Sequence, residues 1–175
     1  MTTKVGRYGL PARLFHWTMA VMVIAMLLIG IGMVSTTTPV YLTLVSIHKP
    51  LGMATLGLVV LRLINRLASR SPALSVSVPK WQRRIASASH ILLYGLMIAV
   101  PITGWAMLSA EDYPIILFGG TVLTPLVSQD AALFVQLRSA HGMLAAVLFG
   151  TFILHVAAVL FHQWVRQDAI LDRMI

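Results

Sequence analysis

Four long apolar runs set the terms on which this chain can fold. A helix needs about 20 mostly apolar residues to cross the hydrocarbon core of a bilayer. Such runs lie near residues 14–34, 45–63, 85–108 and 132–160. Thr36, Thr37, Thr38 and Pro39 form a short polar turn between the first two. The segment from Arg66 to Pro79 carries Ser, Arg and the prolines Pro72 and Pro79, and breaks the second run from the third. Ser109 to Asp130 holds Glu111, Asp112, Pro114, Gly119, Gly120 and Pro125. It reads as a structured loop with a small hairpin or a short interfacial helix. The predicted fold is all-α membrane: a four-helix transmembrane bundle forming one domain over residues 1–175. The first run follows a basic start at Lys4, Arg7 and Arg13. Its apolar length exceeds that of a signal-peptide core and no small-x-small cleavage site follows, so it is expected to be a retained span.

Composition agrees, and charge orients the bundle. Hydrophobic residues make up 58% of the chain and charged residues 10%, against about 45–50% and 25% in soluble domains. The formal net charge of +8 would raise the question of nucleic acid in a soluble protein. Here eleven of the 13 Lys and Arg fall on one side of the spans: Lys4, Arg7, Arg13, Arg62, Arg66, Arg70, Lys80, Arg83, Arg84, Arg166 and Arg173. Only Lys49 and Arg138 fall on the other, beside Glu111, Asp112 and Asp130. The positive-inside rule then predicts N- and C-termini in the cytoplasm, with the surplus charge facing anionic membrane lipid. No nucleic-acid partner is needed. The absence of cysteine excludes disulfides, thiolate metal sites, iron–sulfur clusters and covalently attached c-type haem.

Against this background the six histidines carry the chemistry. His141 and His155 lie on the fourth span fourteen residues apart, close to four helical turns, so both rings leave nearly the same face. At 1.5 Å per residue they stand about 21 Å apart along the axis. Each needs a partner at its own depth from another helix. His48 matches His141 near the outer surface, and His16 matches His155 near the inner one. Two facing neutral imidazoles with no carboxylate nearby suit neither zinc nor copper, which collect more ligands. A haem iron needs two axial ligands, and bis-histidine b haem suits a low-spin electron carrier. The expected iron ligands are therefore His16 with His155 and His48 with His141, holding two b-type haems. Gly30, fourteen residues after His16, and Gly52, Gly142, Ala145 and Ala146 offer small side chains where helix meets macrocycle, although small residues also serve plain helix packing. The competing reading of any one intramembrane histidine is a packing or proton-relay residue, and a histidine-bearing transporter or proton channel would be colourless. His90 and His162, both toward the inner side, read as hydrogen-bonding, propionate-contact or proton-delivering residues, and His162, seven residues further along the same face, is the competitor of His155. Pro101 should kink the third span. Arg13, Lys49, Arg83 and Arg138 could pair with haem propionates, although each reads first as a topology or lipid-headgroup charge, while the ten methionines read as packing.

Several short motifs carry a family resemblance over nearly the whole chain. They are Arg13-Leu14-Phe15-His16-Trp17, Ile47-His48-Lys49-Pro50-Leu51-Gly52, His90-Ile91-Leu92-Leu93-Tyr94, Pro101-Ile102-Thr103-Gly104-Trp105, His141-Gly142, and His155-Val156-Ala157-Ala158 running on to His162. With them the chain resembles the bacterial cytochrome b561 family, four-helix di-haem proteins of the inner membrane. The histidine-plus-fourteen element is also similar to the cytochrome b subunits of formate dehydrogenases and nickel–iron hydrogenases. The resemblance implies the same ligand pairs and a transmembrane electron-transfer function linking a quinone pool, ubiquinone or another quinone, to a second redox partner. Superoxide:ubiquinone oxidoreductase activity is among the roles it implies. A membrane-anchor subunit passing electrons to or from a separate dehydrogenase or periplasmic protein is the alternative. The expected outer loops carry about one net negative charge, which departs from attraction of an anionic substrate.

Overall fold

The computed structural model describes residues 7–69, 79–167 and 171–174. Four helices make up the body: α1 (Leu10–Ser35), α2 (Pro39–Ala68), α3 (Lys80–Ala110) and α4 (Ala131–Phe161). Each is long and apolar enough to cross a membrane. They run past the apolar stretches that announce them: α2 has 30 residues and α3 and α4 have 31. At 1.5 Å per residue these reach about 45 Å, the bilayer with its headgroups rather than the hydrocarbon alone.

Helix ends follow local chemistry. Pro11 lies in the first turn of α1, and Pro39 opens α2. A proline there gives up an N–H that has no intrahelical partner anyway. Between them Thr36 Oγ1 lies 2.9 Å from Thr38 Oγ1 and accepts the Thr38 N–H at 3.4 Å, fixing a three-residue reversal. Asp130 caps α4, its Oδ1 accepting from Ala132 N–H at 2.9 Å and Leu133 N–H at 3.0 Å. The polar segment before it is a miniature hairpin. Ile116 bridges Val122 across a turn in which Gly119 and Gly120 take φ of 88° and 84°, a region other residues rarely adopt. Ser109 ties this loop to α3, its hydroxyl donating to Trp105 O at 2.9 Å and accepting Leu126 N–H at 3.0 Å. Beyond α4, residues His162–Arg166 form one π-helical turn that ends at Gln167 in the left-handed region. Leu171–Arg173 make a 3₁₀ turn, and Trp17 Nε1–H donates to Met174 O at 2.8 Å, holding this end of the chain against α1.

The helices alternate in direction, so the start of α1 and the end of α4 share one end of the bundle. α1 packs on α2, α2 on α3, and α3 on α4. Their outer surfaces are apolar, Val34, Leu28, Ile91 and Leu154 among them, as a lipid-facing surface must be. The buried core is a thin middle layer of Met19 and Val23, Val59, Leu96 and Met97, and Leu148. Thr55 and Thr151 are buried in it too, their hydroxyls donating to Leu51 O at 2.8 Å and Val147 O at 2.7 Å one turn back. No stranded polar group therefore results.

Candidate functional site

Fourteen-residue steps place the candidate side chains on every helix, not on α4 alone. The step joins His16 to Gly30 on α1, His48 to Arg62 on α2, His90 to Gly104 on α3 and His141 to His155 on α4. Its four midpoints, Val23, Thr55, Met97 and Leu148, are all buried in the middle layer. Above and below that layer lie two rings of four. The ring remote from the termini holds Gly30, His48, Gly104 and His141. The ring nearer the termini holds His16, Arg62, His90 and His155.

In the remote ring the His48 and His141 imidazoles face each other across α2 and α4, centroids 6.3 Å apart. Nδ1 of His141 donates to Val100 O at 3.0 Å. That bond selects the tautomer with a lone pair on Nε2, the arrangement usual for a metal-ligating histidine. The Nδ1 of His48 is buried with no hydrogen-bond partner, an orphan of the sort that marks an unaccounted ligand. Gly104 completes the cradle. A Cβ there would stand 3.0 Å from His141 Cε1 and 3.2 Å from its Nδ1. A Cβ at Gly30 or Gly142 would meet nothing within 4 Å, and one at Gly52 would meet only Met26 Cε at 3.4 Å. Of the glycines, Gly104 rather than those expected from sequence shapes the histidine. Pro101, lacking an N–H for Met97 O, sits one residue after the carbonyl that holds His141.

The ring nearer the termini is differently built. His90 and His155 are neighbours, centroids 5.7 Å apart. His16 Nδ1 lies 2.8 Å from Arg62 Nη2, and its ring is 5.3 Å from that of Trp17. Arg62, His155 and His90 are all within electrostatic reach of His16. The structure thus gathers His16, His90 and His155, whereas sequence reasoning joined only the first and last. It also brings in Arg62, which sequence reasoning read as a topology charge; the step from His48 was the signal. His162 begins the π turn, its ring 6.0 Å from Phe161. Of the cations proposed for propionates, Lys49 lies over the Tyr113 ring at 5.4 Å.

His48 and His141, with ring centroids 6.3 Å apart, would together hold one haem iron as a pair of neutral imidazoles. Among the described residues no group of three or more His, Asp or Glu could hold a bare metal ion. The donor set fits a macrocycle that brings its own equatorial nitrogens, which is to say b-type haem.

A four-helix membrane bundle with opposed histidines in its interior is the architecture of a membrane electron-transfer cytochrome. The family model for prokaryotic cytochrome b561 matches residues 7–175, and the chain belongs to that family. It is 30% identical to cytochrome b561 homolog 2 of Escherichia coli (strain K12), over 99% of this chain and 94% of the relative. Identity to cytochrome b561 homolog 1 of the same organism is 28%, over 77% of this chain and 76% of the relative. A protein of Yersinia pestis named probable superoxide oxidase CybB is 32% identical, over 74% of this chain and 73% of its own length. The family makes this a multi-pass inner-membrane protein that binds b-type haem.

Proposed function

We propose that the chain carries electrons across the inner membrane between a quinone pool and a second redox partner, through two b haems. His48 and His141 would ligate one, His16 and His155 the other, with both termini in the cytoplasm. The opposition of His48 and His141 at 6.3 Å, with His155 fourteen residues further along α4, is the observation that carries this reading. Held between two imidazoles, a b haem supplies reversible one-electron chemistry and leaves no open position for oxygen. The protein supplies the rest. Val100 O orients His141, Gly104 admits its ring, and the buried middle layer keeps water from the path between the rings. The remote face, with Lys49 and Arg138 near Glu111, Asp112 and Asp130, would meet the partner outside the cytoplasm. The probable superoxide oxidase among the relatives supports superoxide as electron donor there, with ubiquinone as acceptor: two superoxide, one quinone and two protons would give two dioxygen and one quinol.

A second pairing is favoured by one contact, the 5.7 Å approach of His90 to His155. It would make His90 the ligand in place of His16. A reduced-minus-oxidised spectrum with a haem-to-protein ratio tests the proposal directly. Two low-spin haems per chain are expected, and a colourless protein would end it. Quinone reduction by superoxide with the isolated chain would favour the stand-alone oxidoreductase; copurification with a stable dehydrogenase would favour the anchor subunit.

A further inference from the structure

Arg62 is the charged corner of an otherwise neutral ring. Its guanidinium lies 5.5 Å from the Tyr94 ring centroid, and that of Arg66, one turn on, lies 5.3 Å from the same ring. His90 and His155 are within its electrostatic reach. Besides the histidines, Tyr94, Arg66 and Tyr8 act on Arg62, and among the described residues no carboxylate does. The half-buried guanidinium of Arg62 and the exposed one of Arg66 share one ring and repel each other, and a charge within a membrane span requires a partner.

The bond to His16 is a provisional solution to that need. A guanidinium only donates, so Nδ1 of His16 accepts and the proton of the neutral ring sits on Nε2. Ligation through Nε2 requires the opposite tautomer. His16 therefore cannot keep Arg62 and ligate through Nε2 at once, and Arg62 then needs another acceptor. At the corresponding corners the remote ring has Gly30 and His48, and no charge.

We propose that Arg62, backed by Arg66 across the Tyr94 ring, binds a propionate carboxylate of the haem at the ring nearer the termini, exchanging His16 for that carboxylate as the haem binds. The inference rests on the two-haem reading above. Guanidinium–carboxylate pairs are charge-assisted and match in shape, and the macrocycle itself brings the anion to this depth. Arg62 is a positioning residue, and it makes the two haem sites electrostatically unequal.

The test is an optical redox titration of the purified holoprotein as wild type, Arg62→Gln and Arg62→Lys, in lipid-free detergent and in phosphatidylglycerol vesicles. A nearby cation disfavours the oxidised iron, which carries the greater positive charge. Arg62→Gln should lower the midpoint of one haem, leave the other in place, and shift a propionate band in the redox-difference infrared spectrum. Arg62→Lys should stay near wild type. If Arg62→Gln sheds one haem instead, retention of both by Arg62→Lys supports the inference. Unmoved midpoints in Arg62→Gln overturn it, as does a Lys variant that behaves like Gln. A shift confined to phosphatidylglycerol vesicles overturns it too, reassigning the arginines to a lipid phosphate. In each of these cases two haems in the wild type leave the electron-transfer reading standing, while a wild type without them sinks both.

Discussion

Gly104 on α3 and His141 on α4 approach so closely that a methyl group at position 104 would stand 3.0 Å from the imidazole Cε1. The same ring is held from the same helix by Val100 O at 3.0 Å. His141 is thus clamped between a carbonyl and a glycine and has little freedom to yield. Gly104→Ala should therefore disturb one haem signal and spare the other. Alanine gains about 1 kcal/mol of helix propensity over glycine, while overpacking costs about 1–3 kcal/mol, so the net effect on stability should be a small loss. Haem content and the low-temperature α-band of the variant check this; an unchanged spectrum would remove Gly104 from the site.

The His48–His141 relationship makes a second expectation. If the two rings share one iron, either replacement by alanine should lose the same haem, and the double replacement should lose no more than one. Residues acting as a unit are non-additive in this way. Pyridine haemochrome assays on the two single variants and the double variant measure it, and a double variant with no haem would separate the two histidines.

The middle layer should matter for stability rather than for haem count. Val59 is completely buried, with a relative exposure of 0%. Val59→Ala removes two methylene equivalents at about 0.8 kcal/mol each, and the gap adds a cavity term, for a loss of about 2 kcal/mol. Thermal unfolding in detergent should show a lower midpoint, with two haems per chain retained before the transition.

What the sequence made legible follows from two periods. Apolar length marks the four spans, and helical rise sets depth, so His48 could be matched to His141 before any coordinates. Depth says nothing about rotation around a helix axis, which is why the approach of His90 to His155 went unseen. Gly104 and Arg62 were legible in principle. The fourteen-residue step used for His141 and His155 also joins His90 to Gly104 and His48 to Arg62, but a glycine and an arginine do not announce themselves as partners of a histidine. The helix extensions past each apolar run escaped notice because hydropathy reports the hydrocarbon and not the headgroups. For the loop the sequence left a hairpin and a short interfacial helix both open, and Gly119-Gly120, a pair that tolerates positive φ, is where the hairpin turns.

The ring nearer the termini offers the sharpest remaining contrast, because three histidines compete for two axial positions. His155 is common to both pairings. Its neighbour His90 is 5.7 Å away by ring centroid, while His16 is engaged by Arg62 at 2.8 Å. Proximity alone favours His90. In the remote ring the proposed ligands are on α2 and α4, and α1 and α3 supply glycines. With His155 on α4 and Arg62 on α2, the other ligand comes from α1 or α3. The exchange proposed for Arg62, which frees His16 as the haem binds, makes His16 the expected ligand. His16→Ala should then lose one haem, and His90→Ala should keep both with a shifted midpoint for one of them. Haem counts and redox titrations of the two variants decide between them. Loss of a haem in His90→Ala with both kept in His16→Ala would move the axial position from α1 to α3.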